Sequence, residues 1–309
     1  MSADATRREF LRKCALATGG LAGLTATTAS PPIARGIEPI ERNGESFFKF
    51  SLAAYSYRDR LNAKSPEKKL SLDDFITDCA NMNLQGTELT SYYFPPEPTD
   101  EYLRHLKQLC FRLGLDVSGT AVRNDFCYPP GTERAGELKH VKRWIDHAEV
   151  LGAPVIRIFS GHARGTSEAD AHRLCVEGIE ECCQYAGQHG VFLALENHGG
   201  LSTTSDGLLS LVRDVKSPWF GVNLDTGNFR SDDVYGDIAR LAPYAINVQV
   251  KVSVTGAGGK REKSDFGRLA QILKDAGYRG YVVLEFEESE DPTEACPRIM
   301  DELRQAFAA

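Results

Sequence analysis

The chain has 309 residues, of which 42% are apolar and 26% are charged, and its formal net charge at pH 7 is −7. This composition is typical of a globular protein with one large core. The charge is negative and the body of the chain contains no lysine- or arginine-rich stretch. Nucleic acids and anionic membrane surfaces are therefore poor candidate partners.

The first thirty residues differ from the rest of the chain. Residues 6–13 contain paired arginines followed by Phe-Leu, and residues 14–29 are an uncharged run of small and apolar residues. This order resembles a twin-arginine export signal, and the run is too short and too polar for a stable membrane helix. We therefore expect a signal peptide at 1–29, recognition by the twin-arginine export machinery, and a periplasmic or secreted protein. Removing residues 1–29 takes away four positive and two negative charges, which leaves a mature chain of charge −9.

The cysteines do not predict a disulfide framework. Of the eight cysteines, Cys14 lies in the predicted signal, and the remaining seven show no Cys-x-x-Cys spacing. An odd number without such spacing argues against both a disulfide scaffold and a zinc knuckle. The adjacent Cys182 and Cys183 fall in a predicted helix and are interpreted as core residues.

After a linker at residues 30–46, short β-rich runs alternate with helical segments. Strands are predicted at 48–55, 86–90, 115–121, 154–160, 191–197, 220–226, 245–252 and 280–287. Apolar residues at helical spacing lie between them, including 141–151, 169–188, 208–215 and 266–276. Expected N-caps are Asp73, Thr99, Ser167, Ser205 and Asp265, and expected C-terminal helix caps are Gly114, Gly152, Gly190 and Gly277. Eight such units predict one (β/α)₈ TIM barrel at residues 47–309; a doubly wound open sheet is disfavoured because no Gly-rich dinucleotide loop follows the first strand.

Polar residues alternate with apolar ones near the ends of the later predicted strands. In the run 247–252, valines occupy every second position, so the polar residues between them face the barrel interior. The inward-facing positions predicted in this way are Arg157, Glu196, His198, Asn223, Asp225, Asn247, Gln249, Lys251, Glu285 and Glu287. Converging carboxylates repel each other unless a cation lies between them. Glu196, Asp225 and Glu285 are therefore candidate ligands of a divalent metal, with Mn²⁺ or Mg²⁺ favoured and Zn²⁺ or Co²⁺ left open.

Four phrases of the sequence carry a family resemblance. They are Leu-Glu-Asn-His-Gly-Gly at 195–200, Asn-Leu-Asp-Thr-Gly-Asn at 223–228, Gln-Val-Lys at 249–251 and Val-Leu-Glu-Phe-Glu at 283–287. Together they resemble the xylose isomerase-like sugar phosphate isomerase/epimerase superfamily. The resemblance implies four metal ligands, of which three fall on Glu196, Asp225 and Glu285. The fourth falls on Gln249, where the family commonly has histidine, and Gln249 would then bind the metal through its carbonyl oxygen.

The resemblance implies a metal-dependent sugar isomerase or epimerase that removes a proton next to a carbonyl and passes through an enediolate. Glu196 and Glu285 are expected to form the acid/base pair, and Lys251 to stabilise an oxyanion or act as a base. The residues expected to orient the substrate are Glu88, Arg157, His162, His198 and Asn228.

Three alternatives are weighed against this function. Because sugar phosphates are chiefly cytoplasmic, an exported member is expected to act on a non-phosphorylated sugar or sugar derivative. The same proton abstraction on a 3-keto-glycoside would make the chain a lyase. A non-catalytic periplasmic carbohydrate-binding barrel is the alternative from another class, while an apurinic endonuclease is disfavoured by the acidic charge and the few histidines. Homo-oligomerisation is left open.

Overall fold

The computed structural model describes residues 36–308, so the predicted signal peptide lies outside the described residues. Eight parallel strands form a closed barrel in which neighbours along the chain are neighbours in space, and the first strand pairs with the last. The strands are β1 (Phe47–Ala53), β2 (Gly86–Thr90), β3 (Asp116–Ala121), β4 (Val155–Ile158), β5 (Phe192–Glu196), β6 (Phe220–Asp225), β7 (Ala245–Val250) and β8 (Arg279–Leu284). The predicted TIM barrel is confirmed.

One α-helix of at least two turns follows each strand and packs on the outside of the barrel. These are α1 (Leu72–Asn81), α2 (Asp100–Arg112), α3 (Thr132–Leu151), α4 (Glu168–Gln188), α5 (Ser205–Asp214), α6 (Val234–Leu241), α7 (Phe266–Asp275) and α8 (Pro292–Ala308). The core lies between this ring and the barrel, where apolar strand residues such as Val282 and Leu284 are fully buried. Between residues 36 and 308, no helix is long and apolar enough to cross a membrane.

Helix starts follow local capping chemistry. Side-chain caps were predicted correctly at Thr99, Ser167 and Asp265. The prediction of Asp73 was wrong, because Ser71 is the N-cap of α1. The Ser71 hydroxyl accepts a hydrogen bond from the backbone amide of Asp74, and the Asp74 carboxylate accepts one from the backbone amide of Ser71. The prediction of Ser205 was also wrong by one residue, since Thr204 accepts the capping hydrogen bond. All four glycines predicted to end helices have left-handed φ values between 61° and 76°.

The strands end earlier at the barrel mouth than the sequence predicts. β7 ends at Val250 rather than at residue 252, and β8 ends at Leu284 rather than at residue 287. Lys251 and Glu285 thus stand one residue beyond their strands, at the end of the barrel where TIM-barrel active sites lie. After β7 the chain forms a short antiparallel hairpin, Ser253–Thr255 with Arg261–Lys263, which the sequence did not predict.

A register shift between β6 and β7 sets the alignment of the polar residues. The pairing changes between Val222 and Asn223, after which Asn223 pairs with Asn247 and Asp225 pairs with Gln249. The inward-facing polar residues of the two strands therefore lie side by side in successive layers.

Candidate active site

A cavity of about 270 Å³ lies at the C-terminal mouth of the barrel. Six predicted site residues line it: Arg157, Glu196, His198, Asn228, Lys251 and Glu285. Five further lining residues were not predicted as site residues: Tyr55, Tyr92, Arg123, Phe159 and Glu287. We call this space the barrel-mouth cavity. It brings together side chains that lie in or just after all eight strands, as expected for a binding site at this end of the fold.

Glu196 is held by a cation and an amide. Nε of Arg157 lies 2.9 Å from Oε2 of Glu196, and both side chains are about 95% buried. Nδ2 of Asn228 donates to Oε1 of Glu196 at 2.7 Å. Arg157 is itself positioned by donating to the carbonyl of Val122 at 3.0 Å and to the hydroxyl of Tyr92 at 3.3 Å. The carboxyl group of Glu196 thus has a fixed orientation at the cavity wall.

Lys251 is the centre of a second charge cluster. Its Nζ lies 2.7 Å from Oε2 of Glu285, 2.9 Å from Oε2 of Glu287 and 3.5 Å from Oδ2 of Asp225. The Lys251 and Glu285 side chains are each only 8% exposed, and Asp225 is fully buried. One ammonium group therefore lies among three carboxyl groups. Asp225 and Glu285 converge as predicted, but the cation between them is a side chain of the protein.

A network of amides and one carboxyl fills the barrel below the cavity. Gln249 accepts from Nδ2 of Asn223 at 2.7 Å and donates from Nε2 to Oε1 of Glu88 at 2.8 Å. Asn247 donates to Oε2 of Glu88 at 3.1 Å and to Oδ1 of Asn223 at 2.8 Å. The structure thus places Glu88 inside the barrel rather than on the barrel-mouth cavity, where the sequence analysis expected it to orient substrate.

Two buried carboxyl groups have pKa values near neutrality. Burial raises the pKa of Glu196 to about 7, with the guanidinium of Arg157 opposing the shift and Glu285 adding to it. Burial likewise raises the pKa of Glu88 to about 7, and the charge of Glu285 contributes. A carboxyl group with a pKa close to the working pH can both accept and release a proton during a reaction.

Glu285 is shifted in the opposite direction. Burial acts to raise its pKa, but the ammonium of Lys251 and the guanidinium of Arg157 outweigh burial and hold the pKa of Glu285 below its ordinary value. Burial raises the pKa of Asp225 well above its ordinary range, against the opposing charge of Lys251. The pKa values of these two neighbouring carboxyl groups are therefore shifted in opposite directions.

The two predicted histidines do not both line the barrel-mouth cavity. His198 lines the barrel-mouth cavity and stacks on Phe159 with ring centroids 4.3 Å apart. His162 lies instead in an adjoining cavity of about 510 Å³. This second cavity is lined by Arg123, Asn124, Asp125, Tyr128, Glu137, His140, Phe159, Gly161, His162, Arg164 and His198. The two cavities share Arg123, Phe159 and His198, so they form one continuous concave surface.

The lining residues that the sequence analysis missed sit mostly in loops. Tyr92 follows β2 and Arg123 follows β3, each within two residues of the strand end. Their closeness to C-terminal strand ends is the signal that could have identified them. Tyr55 follows β1 at the same end of the barrel, but its aromatic character alone does not distinguish it from a core residue.

The side chains predicted to bind a metal come together, but their arrangement does not fit a divalent ion. Within residues 36–308, no group of three or more His, Cys, Asp or Glu side chains could hold one. The ammonium of Lys251 takes the position between Asp225 and Glu285, and the carbonyl oxygen of Gln249 already accepts from Asn223. Oδ2 of Asp225 is buried without a hydrogen bond among the described residues and lies 3.5 Å from Nζ of Lys251.

The fold and the position of the site define a TIM barrel whose candidate active site lies at the C-terminal ends of its strands. The chain belongs to the xylose isomerase-like TIM barrel family, whose model matches residues 76–306. A comparison with curated proteins found no match.

Solved structures with the same fold include several sugar epimerases. D-psicose 3-epimerase from Clostridium cellulolyticum H10, determined with D-tagatose, has a TM-score of 0.70 and 15% identity, and covers 84% of this chain and 99% of that one. 3-keto-D-glucoside 4-epimerase from E. coli has a TM-score of 0.67 and 16% identity over 84% and 99% of the two chains. L-ribulose 3-epimerase has a TM-score of 0.65 and 16% identity over 85% and 96%. These likenesses establish the shared fold.

Proposed function

We propose that the chain is a sugar isomerase or epimerase that transfers a proton next to a carbonyl group. The observation that carries this proposal is a pair of buried carboxyl groups on one cavity, each beside its own cation: Glu285 lies 2.7 Å from Lys251 and Glu196 lies 2.9 Å from Arg157. The two environments shift the pKa values in opposite directions. Glu285 is held ionised beside Lys251, while the pKa of Glu196 is raised to about 7. Acid and base roles are separated in this way when two titratable groups face one substrate from different environments. The sugar epimerases with the same fold support the assignment.

The proposed reaction uses Glu285 as the base. Its carboxylate takes the proton from the carbon beside the carbonyl. The electron pair of the broken C–H bond forms a C=C bond, and the π pair of the carbonyl group moves to the carbonyl oxygen to give an enediolate. Lys251 and Arg157 supply positive charge at the cavity wall, which stabilises negative charge that develops on the substrate. Glu196 then donates a proton. Donation to the neighbouring carbon, with transfer of the hydroxyl proton to the former carbonyl oxygen, gives an isomer. Donation to the opposite face of the same carbon re-forms the carbonyl group and gives an epimer.

The proposed substrate is a small sugar without a phosphate group. The barrel-mouth cavity, about 270 Å³, is near the lower end of the range of ligand cavities, which begins at about 300 Å³. The Gly-rich turn after β7 uses its amides internally: Gly256 donates to the carbonyl of Lys260 and Gly259 to the carbonyl of Gly256. Such a turn offers few free amides to a phosphate. The predicted export signal also favours a non-phosphorylated substrate.

Deuterium incorporation tests the proposal most directly. The mature chain is incubated in heavy water with a panel of free ketoses and aldoses, and exchange at the carbon beside the carbonyl is followed by NMR. We expect exchange together with formation of an isomer or epimer, and loss of both in Glu285→Gln. Binding of a sugar without any exchange would contradict catalysis and support the carbohydrate-binding barrel instead.

A 3-keto-glycoside lyase is the second candidate, and the second cavity favours it. Proton abstraction beside the keto group would break a C–H bond, form a C=C bond and expel the substituent two carbons from the carbonyl. That substituent leaves with its bonding electrons and takes up a proton. The second cavity adjoins the barrel-mouth cavity across Phe159 and His198, where it could hold such a substituent.

The two candidates are separated by the products formed from a 3-keto-glycoside. A lyase releases the substituent, whereas an epimerase returns an intact glycoside that carries deuterium. If the second cavity holds the substituent, His162→Ala lowers kcat/KM for the glycoside but not for the corresponding free sugar. His105→Ala, whose side chain contacts Asp73 on the outer surface, is the matched control. Equal effects of His162→Ala on both substrates would exclude this use of the second cavity.

A further inference from the structure

The cation at the centre of this site is the ammonium group of Lys251. Lys251, one residue beyond β7, places its Nζ within 2.7–3.5 Å of carboxyl oxygens of three residues. They are Asp225 from β6 and Glu285 and Glu287 from the segment after β8. These oxygens therefore converge on a nitrogen atom of the protein itself.

The other carboxyl group at the cavity has its own cation. Arg157 pairs with Glu196 at 2.9 Å, and Asn228 donates to the second oxygen of the same carboxyl group. The three carboxyl groups that line the cavity, and Asp225 beside them, are thus each within ion-pair distance of Arg157 or Lys251. A carboxylate that already has a buried cationic partner gains less from an added ion than an unpaired one would.

A divalent ion would also have to lie close to these cations. An ion bound to Glu285 at about 2.1 Å would sit within about 5 Å of the Lys251 ammonium, because the carboxyl oxygen and Nζ are only 2.7 Å apart. Like charges at this separation in a buried site repel each other strongly. The ion could bind only if Lys251 left its three carboxyl partners.

Gln249, the fourth predicted metal ligand, already takes part in a hydrogen-bond network. Oε1 of Gln249 accepts from Asn223, and Nε2 of Gln249 donates to Glu88. Asn247 joins Glu88 to Asn223, so the orientation of the Gln249 amide is fixed from both ends. Turning this amide to present its oxygen to an ion would leave buried donors and acceptors without partners, which is costly.

We propose that the Lys251 ammonium replaces a divalent ion as the positive charge that gathers Asp225 and Glu285 and faces the substrate oxygen. The catalytic role of Lys251 rests on the proposed function. The exclusion of a divalent ion rests only on the arrangement of charges around Lys251. Lys251 is a catalytic residue in this proposal, since its ammonium contacts the oxygen on which negative charge develops.

Metal content tests the replacement independently of activity. The mature chain is purified without chelators from cells supplied with Mn²⁺, Co²⁺ and Zn²⁺, and metals are measured by inductively coupled plasma mass spectrometry. We expect well below one divalent ion per chain, and deuterium exchange that is unchanged by EDTA. One tightly bound ion per chain, with exchange lost on its removal, would overturn the proposal.

Variants of Lys251 sharpen this test. Removing the like charge in Lys251→Met is expected to tighten Mn²⁺ binding in calorimetry by about tenfold or more, and to slow deuterium exchange by about 100-fold. Lys251→Arg retains the charge and is expected to keep Mn²⁺ binding weak, which keeps the test informative if Lys251→Met unfolds. Lys142→Met, which removes a surface partner of Glu181, is the matched control.

The outcomes separate the two proposals. If wild type and Lys251→Met bind Mn²⁺ equally well, the replacement is wrong whatever the activity. The chain could instead carry no metal, bind Mn²⁺ only after Lys251→Met, and catalyse deuterium exchange into none of the sugars tested. In that case the proposed function is wrong and the charge replacement stands.

Discussion

Arg157→Met is the substitution whose consequences the structure defines most fully. It removes one partner of an ion pair whose two side chains are 5% and 4% exposed. Removing one partner of a buried ion pair costs about 3–5 kcal/mol at a pH where the other partner is ionised in the wild type. For a barrel of this size, such a loss lowers the melting temperature by on the order of 10 °C. Urea denaturation gives the free energy of unfolding directly.

The pH dependence of this loss is the sharper test. Burial has already raised the pKa of Glu196 to about 7, and Arg157 opposes that shift, so removing Arg157 raises the pKa of Glu196 further. Below about pH 7, Glu196 is protonated in both folded proteins, and only the lost contacts of Arg157 destabilise the variant. Above pH 7 the wild-type carboxyl group is ionised while that of the variant holds its proton. The destabilisation therefore grows by about 1.4 kcal/mol per pH unit until Glu196 ionises in the variant.

Two controls isolate the charge effect. Glu196→Gln keeps the oxygen that accepts from Asn228, so the double variant Arg157→Met/Glu196→Gln should lose the pH-dependent increment. Arg173→Met removes an exposed arginine that pairs with Asp170 and Glu177, and should leave the free energy of unfolding nearly unchanged at both pH 6 and pH 9. Equal destabilisation by Arg157→Met at pH 6 and pH 9 in the chain that retains Glu196 would refute the reasoning.

Three further predictions concern the base, a glycine turn and the thiols. Glu285→Gln is expected to slow deuterium exchange by about 10²–10⁴-fold while the chain stays folded; wild-type exchange would rule Glu285 out as the base. Gly200→Ala should lower the free energy of unfolding by at least about 1–3 kcal/mol, because φ is 55° and the added Cβ would lie 1.9 Å from the carbonyl oxygen of Gly161. Gly136→Ala, in α3 with no atom within 4 Å of the added Cβ, should instead be neutral or stabilising by about 0.4–1 kcal/mol in the same urea titration. The seven cysteine thiols after residue 35 are all buried and free, so Ellman's reagent should react with none in the folded chain and with all seven after denaturation; fewer than seven would reveal a disulfide.

The barrel could be predicted from the sequence because its signals are local. Strand alternation, helical spacing and left-handed glycines such as Gly152 each depend on a few neighbouring residues. The same alternation correctly places Gln249, Lys251 and Glu285 among the buried polar residues of the barrel. A side chain's inward direction follows from its position in a strand, and the sequence contains that information.

The partners of those side chains could not be predicted in the same way. Arg157 and Glu196 are on different strands, and nothing local to either residue indicates that they form an ion pair. Lys251 was predicted to point inward, but its contact with three carboxyl groups depends on where β7 and β8 end. The sequence analysis therefore identified a carboxylate cluster that needs a cation and assigned the cation to a metal.

The ion pairs explain how one cavity can hold both an acid and a base. Glu196 and Glu285 are both buried, and burial alone would raise both pKa values. Lys251 contacts Glu285 at 2.7 Å and outweighs its burial, whereas Arg157 only partly offsets the burial of Glu196. The difference leaves one carboxyl group ionised and the other near its midpoint at neutral pH. A proton removed by Glu285 can then be replaced by one from Glu196, so the asymmetry between the two cations is the feature that links the barrel to proton-transfer chemistry.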